Sequence, residues 1–293
     1  MPTAEINGIE IYYETYGKGF PLVFVHGGYG GLGTGGAPSA PDWLDGFSKD
    51  FEVVLYDRRS SGRSSFPTTE HTMEQFAADI AALLRHLGHR QAHIWGTSAG
   101  GPIAMQFGLS NPTLAASLII TDTAPWLTKD LDIKARLQER IALLETDGAE
   151  SAYAARRSSG TVGLQLFADS RPAINETERR EREARAAAIR LQLAELSREE
   201  RIEKYAGELR TYNAYLDWDA TEIFSNLTMP ALVLYGTGDT VFPNVDWASL
   251  CANQQSITYR EFIGAEHGFA SSSSEALSEI RNFLMRQPPH EHA

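Results

Sequence analysis

The chain has 293 residues, of which 42% are apolar and 22% charged, a composition that suits one globular domain with a large insertion. Its formal net charge of −12 argues against nucleic acid and membrane as partners, because both attract a basic face, and favours a small-molecule substrate. Cys251 is the only cysteine, so a disulfide framework is excluded, and Ala248 to Ala252 around it read as a helix on which Cys251 is an apolar filler.

In chain order, Met1 to Ile6 shows no basic region followed by an apolar run, and no stretch is long enough to span a bilayer, so a cytoplasmic address is expected. Ile6, Asn7-Gly8, Ile9, Ile11 and Tyr13 form an alternating pattern around an Asn-Gly turn, which predicts a hairpin. Short apolar runs follow at Leu22 to Val25, Phe51 to Tyr56, Ala92 to Trp95, Leu118 to Thr121, Ala231 to Tyr235 and Ile257 to Phe262. Their length and β-branched content suit buried parallel strands. Helical spacing over Met73 to Leu87 and Pro102 to Leu109 separates them. Alternating strands and helices predict an α/β fold with a doubly wound, mostly parallel sheet.

The alternation breaks between about Ala124 and Asn226, where the chain becomes helical and charged. Asn175 to Glu178 and Ser197 to Glu200 both have capping-box spacing. Residues 176 to 204 carry eight acidic and eight basic side chains, a balance that predicts solvated helix faces in an inserted cap.

Gly96-Thr97-Ser98-Ala99-Gly100 lies between a predicted strand and a predicted helix. Glycines two before and two after the serine allow a turn tight enough to lift Ser98 above the sheet. The same turn puts the Ala99 amide at a helix N-terminus, where free backbone donors and the helix dipole favour an oxyanion. A serine hydroxyl is a weak nucleophile and needs a base. Among eight histidines, His267 sits in a glycine-flanked loop after the last predicted strand, whereas His71, His86, His89, His93, His290 and His292 read as structural or solvent-exposed. Asp239 follows the strand Ala231 to Tyr235. One helix, about Asn244 to Cys251, and one strand bring His267 back to the same sheet edge, where open α/β sheets bind ligands. Asp122 is the rival acid, and its plainer reading is a turn carboxylate at the cap entrance.

Ser98, Asp239 and His267 occur in the chain order of the α/β-hydrolase superfamily, which the sequence resembles over residues 4 to 123 and 227 to 286. His26-Gly27-Gly28 resembles the superfamily's oxyanion loop, so the resemblance implies that the Gly28 amide joins Ala99 in an oxyanion hole and that His26 structures the loop. Asp57 to Ser64 resembles the loop written Asp-x-Arg-Gly-x-Gly-x-Ser, with Ser60 in place of a glycine. The resemblance implies an eight-stranded core at 1–123 and 227–287, while the break in alternation places a helical cap at 124–226 and the residues Gln287 to Ala293 predict a flexible tail at 288–293. His26-Gly27-Gly28 and Asp57-Arg58-Arg59 also resemble proline iminopeptidases, although Tyr29 stands where those have proline. The glycines from Gly30 to Gly36 suggest a mobile pocket wall.

The expected activity is hydrolysis of a carboxylic ester or lactone of a neutral, apolar small molecule through an acyl-enzyme, with no metal and no organic cofactor having a step to perform. Tyr29, Trp126 and Phe242, with Val241 and Phe269, are expected to flank the substrate mouth. Apolar positions such as Ile189, Leu193 and Leu196 are expected to stripe the cap. An aminopeptidase would need carboxylates such as Glu183 or Glu203 for the substrate amine, and carbon–carbon bond hydrolases and lactonases use the same triad. A ligand receptor on the same fold is a further alternative. Sequence leaves the scissile bond and the oligomeric state open.

Overall fold

The computed structural model describes residues 2–33, 36–156 and 193–287, together with positions 162, 176, 179, 180, 183, 184, 187 and 191. The expectations for Asn175, Thr177, Glu178, Ile189 and the tail 288–293 lie outside the described residues.

The chain opens on β1 (Thr3–Ile6) and β2 (Ile9–Tyr16), an antiparallel pair whose turn places Asn7 at φ 50° and Gly8 at φ 77°. Two successive left-handed residues are what a two-residue hairpin loop requires. Then come β3 (Phe20–Val25), α1 (Leu44–Phe47), β4 (Phe51–Tyr56), α2 (Met73–His86), β5 (Ala92–Thr97), α3 (Gly100–Ser110) and β6 (Ala115–Thr121). Helices α4 (Leu131–Ala154) and α5 (Arg198–Leu216) lie between β6 and β7 (Ala231–Gly236). The chain continues through α6 (Trp247–Cys251), β8 (Ile257–Phe262) and α7 (Ser274–Met285).

The strands form one eight-stranded sheet in the order β1-β2-β4-β3-β5-β6-β7-β8. Beyond the antiparallel β1, β2 and β4 edge, every pairing from β4 through β8 is parallel. The period of two along each strand divides the core. Val23, Val25, Ile94, Ile120 and Val233 face the layer holding α2, α3 and α6, and Leu22, Phe24, Trp95, Ile119 and Leu234 face the layer holding α1 and α7. Helices on both faces explain why the central strands read as unbroken apolar runs.

Helix α5 begins at a capping box in which Ser197 accepts the Glu200 amide and Glu200 accepts the Ser197 amide, as its spacing predicts. It packs along α4, which is interrupted at Gly148, where φ is 85°. Leu193 is buried and Leu196 packs against the same core. The predicted helix from Asn244 is shorter than expected. Asn244 has φ 58°, and Asp246 caps the helix by accepting the Ser249 amide, so the first helical residue is Trp247. No helix among the described residues is long and apolar enough to cross a membrane.

Candidate active site

The turn between β5 and α3 is fixed by sterics. Ser98 has φ 52°, a left-handed conformation that costs energy for a residue with a side chain and persists only where the surroundings impose it. Two contacts impose it here. A Cβ on Gly100 would stand 2.0 Å from the Val25 carbonyl oxygen, and one on Gly96 would stand 2.3 Å from the Gly100 oxygen. The Ser98 amide donates to the Thr121 oxygen at 2.9 Å, tying the turn to β6. Ala99 is fully buried at the start of α3.

His267 reaches this turn from the loop after β8. Its Nε2 lies 3.1 Å from Ser98 Oγ, and its Nδ1 lies 2.8 Å from Asp239 Oδ2. A carboxylate facing Nδ1 places the ring proton there and leaves Nε2 to accept from the serine hydroxyl. Asp239 is itself braced, since its Oδ1 accepts the amides of Val241 at 2.8 Å and Phe242 at 2.9 Å. Burial raises its carboxyl, but the hydrogen bond and charge of His267 and the two amides outweigh it and hold the group below its ordinary range. The three residues expected to work together are therefore assembled in hydrogen-bond order.

Asp122 sits at the bend that follows β6, just before the inserted segment, and acts as a structural carboxylate there. It is fully buried at φ 52°, its Oδ1 accepts the Gly268 amide at 3.0 Å, and its Oδ2 accepts Thr97 Oγ1 at 3.3 Å. It thus grips the residue after His267 from the end of β6. Nothing in the sequence around Asp122 signals that contact, because its partner is 146 positions away.

Gly27 packs on the serine, with a Cβ there falling 2.9 Å from Ser98 Cβ, so Gly28 follows directly beside the turn. His26 is buried, and its Nδ1 donates to Gly27 O at 2.8 Å. Burial, reinforced by the Arg58 charge, holds this imidazole well below its ordinary range and keeps it neutral. Ser60, in the glycine position of its loop, adopts the left-handed conformation that glycine would supply, at φ 55°. Its Oγ lies 2.8 Å from His71 Nε2, and its carbonyl accepts the Gly31 amide at 2.8 Å. His71 and His93 are buried among structural contacts, as expected, and burial lowers each to about 4. The glycine run has a packing reason as well. A Cβ on Gly31 would stand 2.3 Å from Glu208 Cβ on α5, and one on Gly36 would stand 1.7 Å from the Asp57 carboxylate.

Of the aromatic positions expected at the mouth, Phe242 is buried with its ring 5.7 Å from that of His267. Tyr29 stacks on Tyr212 of α5 at 4.1 Å and meets Tyr215 edge-on at 5.1 Å. Trp126 pairs with Asp219 across the ends of the inserted segment and carries Lys129 over its ring at 4.4 Å. Val241 is exposed, and Phe269 packs on Phe262. A cleft of about 520 Å³ beside the serine turn is lined by His26, Gly27, Trp43, Thr97 and Ser271, among others. Glu183 is exposed and paired with Arg179, and Glu203 faces solvent.

Residues 21–270 match the model of the α/β-hydrolase fold family. A non-heme chloroperoxidase of Streptomyces lividans is 28% identical over 284 residues, covering 93% of this chain and 94% of its own. The enol-lactonase from Burkholderia xenovorans LB400 superposes with a TM-score of 0.69 at 23% identity, over 97% of this chain and 100% of that one. A thermophilic esterase from Thermogutta terrifontis superposes with a TM-score of 0.66 at 23% identity, over 97% of this chain and 96% of that one.

Proposed function

This chain belongs to the α/β-hydrolase fold family, and we propose that it is a serine hydrolase cleaving a carboxylic ester or lactone of a neutral, apolar small molecule. The observation that carries this reading is the continuous path from Ser98 Oγ to His267 Nε2 at 3.1 Å and from His267 Nδ1 to Asp239 at 2.8 Å. Ser98 Oγ attacks the acyl carbonyl while His267 takes its proton, and the amides of Gly28 and Ala99 receive the charge that develops on the carbonyl oxygen. Collapse breaks the bond to the alcohol oxygen, which leaves with the proton from His267. Water, deprotonated in turn by His267, then attacks the acyl-enzyme and releases the acid. Asp239 holds the imidazole in the required tautomer and stabilises the imidazolium. Segment 124–226 is the cap that roofs the pocket in this reading, with Tyr29, Trp126 and Phe242 facing the substrate.

Similarity in fold to an enol-lactonase and an esterase supports the ester or lactone substrate. The solvent-facing Glu183 and Glu203 lend no support to an aminopeptidase that must hold a substrate amine. The test is labelling by an active-site-directed fluorophosphonate together with turnover of p-nitrophenyl esters and lactones. Labelling at Ser98 alone, with only background turnover in Ser98→Ala, is expected. A label mapped to another serine overturns the assignment.

A further inference from the structure

Arg58 is a buried cation, only 1% exposed. A buried charge is costly unless its surroundings satisfy it, and here neutral acceptors gathered around one loop receive its donors. Its Nη2 donates to the carbonyl oxygens of Gly28 and, at 3.3 Å, of Gly27. Its Nε lies 3.4 Å from His26 Nε2, the acceptor nitrogen of the histidine that itself donates to Gly27 O. Its Nη1 donates at 3.0 Å to Tyr215 Oη, which in turn donates to the Ala99 oxygen at 2.6 Å.

The geometry of the peptide unit gives this network a direction. The Gly27 carbonyl and the Gly28 amide belong to one trans peptide, in which C=O and N–H point to opposite sides. Holding that carbonyl with Arg58 and His26 leaves the Gly28 N–H pointing away from them, while Gly27 itself packs on Ser98. Tyr215 ties this cluster to the start of α3 through the carbonyl of Ala99, in the Ala99–Gly100 peptide. Because Tyr215 belongs to α5, and Tyr29 stacks on Tyr212 of the same helix, the inserted helix closes the network from above.

We propose that Arg58 is a positioning residue which, clamped by Tyr215, sets the Gly28 donor of the oxyanion hole and makes that hole complete only when α5 is seated on the loop. The inference rests on the serine-hydrolase reading above. Arg58 touches no reacting atom, so its loss acts on the developing charge and not on substrate capture.

The experiment compares Arg58→Lys, Arg58→Met and Tyr215→Phe with the parent protein, each checked for folding by circular dichroism and thermal midpoint. Three quantities are read: kcat and KM for p-nitrophenyl acetate, the Ki of an aryl trifluoromethyl ketone, whose serine adduct carries an oxyanion, and the rate of fluorophosphonate labelling at Ser98. Arg58→Met is expected to lower kcat by about tenfold to a hundredfold, less than the loss of a whole oxyanion donor, with KM within about threefold of the parent's. The ketone Ki should rise by the same factor as kcat/KM falls, labelling should slow, Arg58→Lys should recover part of the loss, and Tyr215→Phe should show the same pattern more weakly. Folded variants with parental kcat and parental ketone affinity overturn the proposal, as does a fall in kcat that leaves ketone affinity unchanged. If the Arg58 variants do not fold, Tyr215→Phe, which removes one oxygen, decides by the same criteria. A parent protein that the fluorophosphonate does not label at Ser98 overturns both this inference and the reading beneath it, whereas a labelled parent with undiminished variants overturns this inference alone.

Discussion

The carboxylate of Asp122 accepts the backbone amide of Gly268 at 3.0 Å, so the end of β6 holds the residue that follows His267. Two carboxylates therefore approach the histidine loop from neighbouring strands, and they hold it differently. Asp239 bonds the imidazole, and Asp122 bonds the backbone beside it.

That difference predicts unequal costs. Asp239→Asn keeps an oxygen for the Val241 and Phe242 amides but presents an amide donor to Nδ1, which forces the wrong tautomer, and kcat should fall by about four orders of magnitude. Asp122→Asn keeps an oxygen for Gly268 and should cost less than about tenfold. Steady-state kinetics on one p-nitrophenyl ester check both, and the opposite ranking would move the catalytic acid to β6.

Stability should report the ionisation of Asp122. Burial, with the Asp239 charge adding to it and the charge of His267 and the Gly268 and Ala270 amides opposing it, pushes this carboxyl up to about 6. Aspartate in an unfolded chain titrates near 3.9, so the folded protein binds this proton more tightly. The stabilisation is complete below about pH 4 and is lost as the pH rises through about 6. Asp122→Asn, neutral throughout, should gain on the parent protein between pH 4 and pH 7 by on the order of 2 kcal/mol. Thermal or urea unfolding across that range measures it, and a constant difference between the two proteins counts against it.

Glycine substitutions should separate steric need from mere presence. Gly100→Ala forces a Cβ to within 2.0 Å of the Val25 oxygen, so the turn that carries Ser98 must shift. Destabilisation of about 3 kcal/mol or more, with loss of turnover, is expected. Gly46 lies in α1 with nothing within 4 Å of the position a Cβ would take, and Gly46→Ala should stabilise by about 0.5 to 1 kcal/mol. Urea denaturation of both variants provides the comparison. A harmless Gly100→Ala would mean that the turn is looser than its contacts indicate.

Substrate preference should follow the absence of a dedicated partner for an amine at Glu183 and Glu203. Across a neutral ester and lactone series and a matched series of free-amine aminoacyl substrates, kcat/KM should favour the neutral compounds. Related neutral esters should differ modestly, since one methylene in an apolar pocket is worth about 1 to 3 kcal/mol. Preference for the amines by more than about tenfold, or 1.4 kcal/mol, would promote the aminopeptidase.

The parts of this protein written locally in its sequence are those set by short-range stereochemistry. Apolar runs such as Leu22 to Val25 and Ala231 to Tyr235 name the buried strands, because a strand covered on both faces has no polar side to show, whereas Ile257 to Phe262, also expected to be buried, is the sheet's edge strand and buries only Ile257. Asn7-Gly8 specifies the hairpin and Ser197 to Glu200 specifies the start of α5, since each depends on neighbours only a few positions apart. Gly96 and Gly100 announce the serine turn for the same reason.

Only the tertiary structure decided the rest. The Ser60 position reads as a departure from the loop pattern, yet the fold forces serine into glycine's conformation and secures it through His71. Asn244 reads as the start of a helix, but its left-handed backbone delays the helix to Trp247. Arg58 sits at the variable position of its loop motif, and neither charge pattern nor periodicity marks it as buried or as a partner of Tyr215, 157 positions away. Local sequence patterns encode which face of an element is apolar. They do not encode which distant polar groups meet once those faces pack, and Asp122, Arg58 and Tyr215 acquire their contacts at that step.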